Sequence, residues 1–272
     1  MRLSAIGLAG LFGALLLAAS GSAAAQPAPP SGGDCAPGAR LKFICGLKSP
    51  EDLVQVPGTD WIIVSGLGDA ANPATPTDTG GELALIDPAA RTGRKLAFTG
   101  GAPRAPYGDC AAAPDPARLL THGLNILPAG RGKARLFVVG HGGREAIEVF
   151  EVASGKGPPN LTWIGCVKPP ADAFDNSVVA LKDGRVVFTD FLHKPSTFRD
   201  LLSGKVTGAV YVWTPGGTAR KLPGTDLPGA NGVEASADGR YVFVAVSGTA
   251  KVLRYELAAT EKPPTVIDPG LR

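Results

Sequence analysis

The sequence predicts an all-β protein of the six-bladed β-propeller type, with about four blades encoded in the chain. Three observations lead there. Thirty-seven glycines and 25 prolines stand against a single methionine, a balance of many turns and few long helices. A four-part pattern of strands recurs along the chain. Two of its copies carry an Asp-Gly dipeptide, Asp183-Gly184 and Asp238-Gly239, between alternating apolar runs, which is tight-turn chemistry.

The first copy runs LVQVPGTDWIIVSGL from Leu53, followed by GELALID and RKLAF. The second has LNIL, a Gly-rich turn, RLFVVGH and AIEVFEV. VVALKDGRVVFTD from Val178, continued by GAVYVWTPGGTARKL, is the third, and VEASADGRYVFVAVSGTAKVLRYEL from Val233 is the fourth. Each copy is an alternating strand, a turn, a very apolar second strand, and two strands of mixed character. At about 55 to 70 residues per copy this is the size of a propeller blade. A β-sandwich or jelly roll also has many short strands, but the fixed order inside each copy favours the propeller.

Before the repeat, MRLSAIGLAGLFGALLLAASGSAAAQ has one positive charge, an apolar core from Ala5 to Ala19, and Ala23-Ala24-Ala25 ahead of Gln26. Residues 1–25 read as a signal peptide, because the apolar run is shorter than the roughly 20 residues of a membrane-spanning helix. Residues 26–40 are a Pro/Gly-rich tail, and 41–272 are the partial propeller. The expected location is secreted or periplasmic, with no membrane span after cleavage. A net charge of +3 without a basic run argues against nucleic acid as a partner.

An exported chain with four cysteines, Cys35, Cys45, Cys110 and Cys166, favours disulfides, and no C-x-x-C occurs to suggest zinc. Of the three possible pairings, the turn-like and strand-end settings of Cys110 and Cys166 favour a bridge between those two, leaving Cys35 and Cys45 to pair locally or elsewhere.

When the copies are superposed, the residue just ahead of each first strand is polar: Glu51, His122, Asn176 and Asn231. The innermost strands of a propeller line its channel, so these four converge on one axis. A carboxylate, two amide carbonyls and an imidazole make an oxygen-rich pocket suited to a hard cation such as Ca²⁺. His141, at the end of the second strand of its copy, can approach His122 on the same rim. His193 falls in an insertion and is expected to be exposed.

These residues in this order, SPEDLVQVPGTDWIIVSGL, HGLNIL with LFVVGHGGREAIEVFEV, NSVVAL and ANGVEASADGRYVFVA, resemble the paraoxonase/arylesterase group. That group lies within the propellers that also include gluconolactonases, senescence-marker proteins and strictosidine-synthase-like proteins. The similarity runs from about Glu51 to Leu257. It implies a catalytic calcium held by Glu51, Asn176 and Asn231, a second, structural calcium at Asp52, and a water-activating pair in His122 and His141. Ser177 stands where the paraoxonases have an acid, which puts the structural site in doubt; Asp175 is a candidate substitute. The resemblance also implies an Asp-Asn pair from a fifth blade just where this chain ends, so about two blades are expected to be missing and the truncated form to be inactive or impaired.

The function expected on this basis is calcium-dependent hydrolysis of a small-molecule lactone or aryl ester. The alternative is a non-enzymatic exported propeller that binds or scaffolds through its rim loops. No G-x-S-x-G elbow supports a serine nucleophile. Neither substrate nor oligomeric state is legible: the insertions at Gly68 to Gly81, Gly101 to Leu119 and His193 to Thr207 carry no signature.

Overall fold

The structure, a computed structural model, describes residues 42–68 and 81–270. The expected signal peptide, the Pro/Gly-rich tail, most of the first insertion and Cys35 lie outside them.

Four sheets follow one another along the chain. The first contains β1 (Pro50–Gln55), β2 (Ile62–Gly66), β3 (Glu82–Asp87) and β4 (Thr92–Lys95), paired in sequence order. A short β5 (Phe98–Thr99) precedes the second sheet, β6 (Leu120–Pro128), β7 (Lys133–His141), β8 (Ala146–Ala153) and β9 (Asn160–Val167). The third is β10 (Asp175–Ala180), β11 (Val186–Asp190), β12 (Ala209–Trp213) and β13 (Arg220–Lys221), with a five-residue helix α1 (Phe198–Leu202) between β11 and β12. The fourth is β14 (Ala230–Ala235), β15 (Tyr241–Val246), β16 (Lys251–Glu256) and β17 (Thr265–Ile267). All consecutive pairs within a sheet are antiparallel. The inner strands pack side by side, β1 on β6, β6 on β10 and β10 on β14. This is an all-β arrangement of four propeller blades.

The apolar second strands follow from this stacking. In β7, Leu136 and Val138 pack into the layer shared with the first blade, while Phe137 and Val139 pack into the layer shared with the third. A strand covered on both faces has no solvent side, so RLFVVGH reads as a nearly continuous apolar run instead of an alternation. The same division holds in β11, where Val186 and Phe188 face the second blade and Val187 the fourth. Each fully buried aromatic of these layers, such as Phe150, Trp163 or Phe188, contributes about 1.5–3 kcal/mol.

Both Asp-Gly turns form as expected. Gly184 and Gly239 have φ of +92° and +69°, and Asp183 and Asp238 each accept a bond from the backbone N–H two residues on, at 3.0 Å.

Two details depart from the sequence reading. RKLAF does not form one strand: it ends as β4 at Lys95, and Phe98–Thr99 crosses to the second sheet, where β5 pairs in parallel with β9. Phe98 then packs edge-on against Phe150 at 5.1 Å, which rewards the crossing. His193 is half-buried, with its Nδ1 3.4 Å from an oxygen of the buried Asp190.

Cys110 and Cys166 are bridged, with Cα atoms 5.6 Å apart. Cys166 is on β9 and Cys110 in the loop entering the same blade, so the bond ties that loop to the blade's outer strand. The expectation that Cys35 and Cys45 pair locally or elsewhere falls on Cys35, which lies outside the described residues.

Candidate functional site

The residues singled out by the repeat lie inside their strands, at one repeated irregularity. The first strand of every blade slips register against the second: between Pro50 and Leu53, Thr121 and Leu124, Asp175 and Val178, Ala230 and Val233. Glu51, His122, Asn176 and Asn231 each sit in one of these bulges. A bulge bends its strand and re-aims a side chain that strict alternation would point elsewhere. The backbone N–H freed by the slip is satisfied by a second-strand hydroxyl in two blades: Asp52 N donates to Ser65 Oγ and Ser177 N to Thr189 Oγ1, both at 3.0 Å.

Each histidine of the pair is followed by glycine for a definite reason. A Cβ at Gly123 would lie 2.5 Å from the carbonyl oxygen of Asn176 and 2.6 Å from the Ser177 Cα, so only glycine lets the second blade close on the third at this level. Gly142 has φ of +90°, and a Cβ there would meet the Arg118 carbonyl oxygen at 1.8 Å.

Glu51, His122, Asn176 and Asn231 line one cavity of about 500 Å³, together with Asp52, Leu53 and Phe243 among others. His122 is its hub. Its Nε2 is 3.2 Å from Glu51 Oε1 and 3.1 Å from Asn176 Nδ2, and its Nδ1 is 3.1 Å from His141 Nε2. Both histidines are buried. Burial holds the His122 pKa below its ordinary value, which outweighs the opposing pull of Glu51. The bond from His122 holds the Glu51 carboxyl below its own usual range. The pair therefore stands as a carboxylate beside a neutral imidazole.

His141 is held from two sides that the sequence reading did not single out. Its ring stacks on Phe174, with centroids 4.4 Å apart and planes 9° apart. Its Nδ1 is 2.7 Å from Glu145 Oε1, approached obliquely, so the contact is short but not a well-aligned hydrogen bond. The only trace of Glu145 in the sequence is its place four residues after His141, across a Gly-Gly turn.

Asp52 is occupied differently from the other candidates. Its Oδ2 accepts from Leu124 N of the next blade at 2.7 Å and its Oδ1 from Leu53 N at 2.7 Å. Ser177 makes the equivalent link two interfaces on, between the third and fourth blades, its Oγ accepting from Val233 N at 3.2 Å. The Asp52 and Ser177 positions thus share an inter-blade bond, and Ser177 needs no charge to make it.

Asp175 is buried at the head of β10, directly opposite Asp190 on β11, and neither of its carboxyl oxygens has a partner among the described residues. Burial, and then Glu145 and Asp190, push its pKa well above the carboxylate range. Burial likewise raises Asp190 to about 7, although Phe174 N donates to its Oδ1 at 3.1 Å. A carboxyl whose pKa is raised by folding binds more protons folded than unfolded, so its contribution to stability falls as pH rises from about 4 to about 7. His122, with a lowered pKa, acts in the opposite sense and costs stability as pH falls below its unfolded value. Asp190→Asn isolates the acid, because it keeps an acceptor for Phe174 N and is neutral at every pH. The melting temperature of this variant minus that of the parent should rise by a few degrees between pH 5 and pH 8. A flat difference would show that Asp190 titrates normally.

The donor set can be tested against a cation. The amide nitrogens of Asn176 and Asn231 are the bonded atoms, to His122 Nε2 and to Ser247 Oγ, each at 3.1 Å, which leaves both amide oxygens as donors beside the Glu51 carboxylate. One carboxylate and two carbonyls fit a hard cation such as Ca²⁺. Three protein donors fall short of the six to eight oxygens calcium takes, so the remainder would have to come from water or substrate. Among the described residues no group of three or more His, Cys, Asp or Glu is placed to hold a metal.

No protein-family model matches the chain, and no curated protein matches it. Among solved structures it is similar to a gluconolactonase from Xanthomonas campestris, at 13% identity over 77% of this chain and 60% of that one, with a TM-score of 0.44. A regucalcin from Agrobacterium tumefaciens described as calcium-binding gives 13% identity, 80% and 58% coverage and a TM-score of 0.42. A chain of a nidogen/laminin complex gives 11% identity, 77% and 60% coverage and a TM-score of 0.44. The chain thus spans about 60% of the length of these structures.

Proposed function

We propose that the protein is an exported hydrolase of small lactones or aryl esters that works with a calcium ion held by Glu51, Asn176 and Asn231. The observation that carries this reading is the buried, neutral His122, whose Nε2 reaches the same cavity as those three oxygen donors. Bound calcium would supply a Lewis acid for the ester carbonyl. His122 takes a proton from water, and the adjacent Glu51 carboxylate stabilises the imidazolium that results. Leu53, Val54, Phe243 and Val252 give the cavity an apolar wall against which an alkyl or aryl group can pack. Asp52 is assigned to the inter-blade bond and not to the ion. The apolar N-terminal segment and the Cys110–Cys166 bridge support export to a secreted or periplasmic location. Among the described residues no helix is long and apolar enough to cross a membrane.

The test is hydrolysis of a panel of five- and six-membered lactones and phenyl esters by the full chain, with calcium added or chelated. The expected result is turnover that chelation abolishes and calcium restores, with half-saturation well above the micromolar range because the donors are few. Turnover indifferent to chelation would reject the calcium role. No turnover of any substrate at saturating calcium would favour the reading as a binding module.

A further inference from the structure

We propose that the outer face of the fourth blade is the interface of a two-fold dimer, in which a second copy of this chain lays its own fourth blade over it and supplies a wall to the candidate cavity. The association itself does not depend on the hydrolase reading.

The two ends of the row of blades are finished differently. On the first blade, Val64, Ala84 and Ile86 point away from the second blade and are nonetheless buried, because Ile44 and Leu47 of the segment before β1 pack on them. The fit is close: a Cβ at Gly93 would lie 2.9 Å from Leu47 Cδ2, and one at Gly66 2.3 Å from the Lys48 carbonyl oxygen. The fourth blade is covered on one face only. In β15, YVFVAV, the side chains of Val242, Val244 and Val246 are buried against the third blade, whereas Tyr241, Phe243 and Ala245 on the other face are half-buried. An unbroken apolar run of this kind is what β7 shows, and both faces of β7 are covered. Val252 of β16 and the exposed Ile267 of β17 extend the open face through their register with Ala245.

The charges on this face fit a second copy. Glu234, Phe243 and Arg254 form one cross-strand row over β14, β15 and β16. Arg240 beside them is already bonded to Glu256, at 2.8 Å. Glu234 and Arg254 form no ion pair among the described residues; the first accepts from Ala235 N and the second donates to Thr265 Oγ1. A two-fold axis along β15 puts β14 of each copy over β16 of the other. It therefore sets Glu234 against Arg254 twice, with the two copies of Phe243 meeting between them. In the next row the same axis brings Val252 over Gly232, which lies beside Ala245 and has no side chain to displace. Packing the fourth blade on the first would instead propagate without closing, and the cover of Ile44 and Leu47 stands in its way. Gly232, Glu234, Phe243, Ala245 and Val252 also line the candidate cavity, so the copy that covers this face encloses the cavity as well. Four strands about 4.8 Å apart, with about six residues of 3.4 Å each, offer roughly 400 Å² per copy. That is about half of a standard interface, so the dimer should be weak and reversible.

Sedimentation velocity of the purified protein from micromolar to near-millimolar concentration tests this. The parent should pass from one copy to two as concentration rises and stop at two. Glu234→Arg and Arg254→Glu should each weaken association about tenfold or more, because each places like charges together twice. An equimolar mixture of the two variants should associate as tightly as the parent, since each face then carries a single sign opposite to its partner's. A merely structural role for either residue would not be rescued by mixing. A parent that stays monomeric at the highest concentration would overturn the proposal even if neither variant folds, and would leave the face to a partner of another kind. Growth beyond two copies, or folded variants that fail to associate on mixing, would overturn it too. Dimers that hydrolyse no lactone or ester would uphold the interface while removing the hydrolase reading.

Discussion

Replacing Glu148 with alanine is expected to destabilise the protein by about 3–5 kcal/mol, the range for breaking one partner out of a buried ion pair. Glu148 lies in the middle of β8 and is fully buried. Arg144 grips it with two nitrogens, Nε to Oε1 at 2.7 Å and Nη2 to Oε2 at 2.8 Å, and Trp163 Nε1 donates to Oε2 at 2.7 Å. The third arm of Arg144 reaches the Ala112 carbonyl at 2.9 Å, in the loop that Cys110 ties to Cys166. One carboxylate thus satisfies an arginine and an indole at once. Its removal leaves the indole N–H buried without an acceptor and Arg144 without its counter-ion. Glu148→Gln should cost much less, since one oxygen still accepts. Replacing Arg144 and Glu148 together by methionine should cost less than Glu148→Ala alone, because the unpaired charge goes with it. Urea unfolding of the four proteins measures all of this. A loss below 1 kcal/mol for Glu148→Ala would mean that the side chains around it repair the network.

In AIEVFEV the sequence shows Glu148 and Glu151 as two equivalent polar breaks in an apolar strand, yet Glu151 is half-buried and Glu148 fully buried. Alternation alone would place a charge on a solvent face, and it is blind to a strand whose two faces are both covered. What survived from sequence to structure was whatever depends on order along the chain: four blades, two Asp-Gly turns, the Cys110–Cys166 bridge, and the convergence of Glu51, His122, Asn176 and Asn231 on one cavity. What did not was whatever depends on the third dimension. The bulges that aim those four side chains leave no mark of their own, because a one-residue slip is set by pairing between strands and not by composition. Ser65 and Thr189, which take up the freed N–H groups, look like any polar residue at a strand end. Glu145, Asp175 and Asp190 gather from the turn before β8, from β10 and from β11, and no spacing in the sequence connects them. At Asp52 the resemblance to a cation ligand was legible, whereas its engagement by Leu124 N was not.

For the cavity itself, His122→Gln is expected to lower lactone or ester turnover by about a hundredfold or more, the range typical of losing a general base. Glutamine can occupy the site, accept from Asn176 and donate to Glu51, so the cavity should keep its shape. It has no lone pair basic enough to take a proton from water. Calcium affinity, measured by calorimetry, should change little, because the oxygen donors belong to Glu51, Asn176 and Asn231. The parent's activity should fall as pH drops through the His122 pKa, and that limb should lie below the ordinary histidine value of about 6.5, since burial disfavours the imidazolium. In the variant the same limb should vanish along with most of the rate. Full turnover in His122→Gln would remove histidine as the base and leave the cation site standing. Glu51 would then be the group to test, because its carboxylate is held ionised at the same cavity. Glu51→Gln would lower calcium affinity if the carboxylate binds the ion, and would abolish turnover even at saturating calcium if it also accepts the proton.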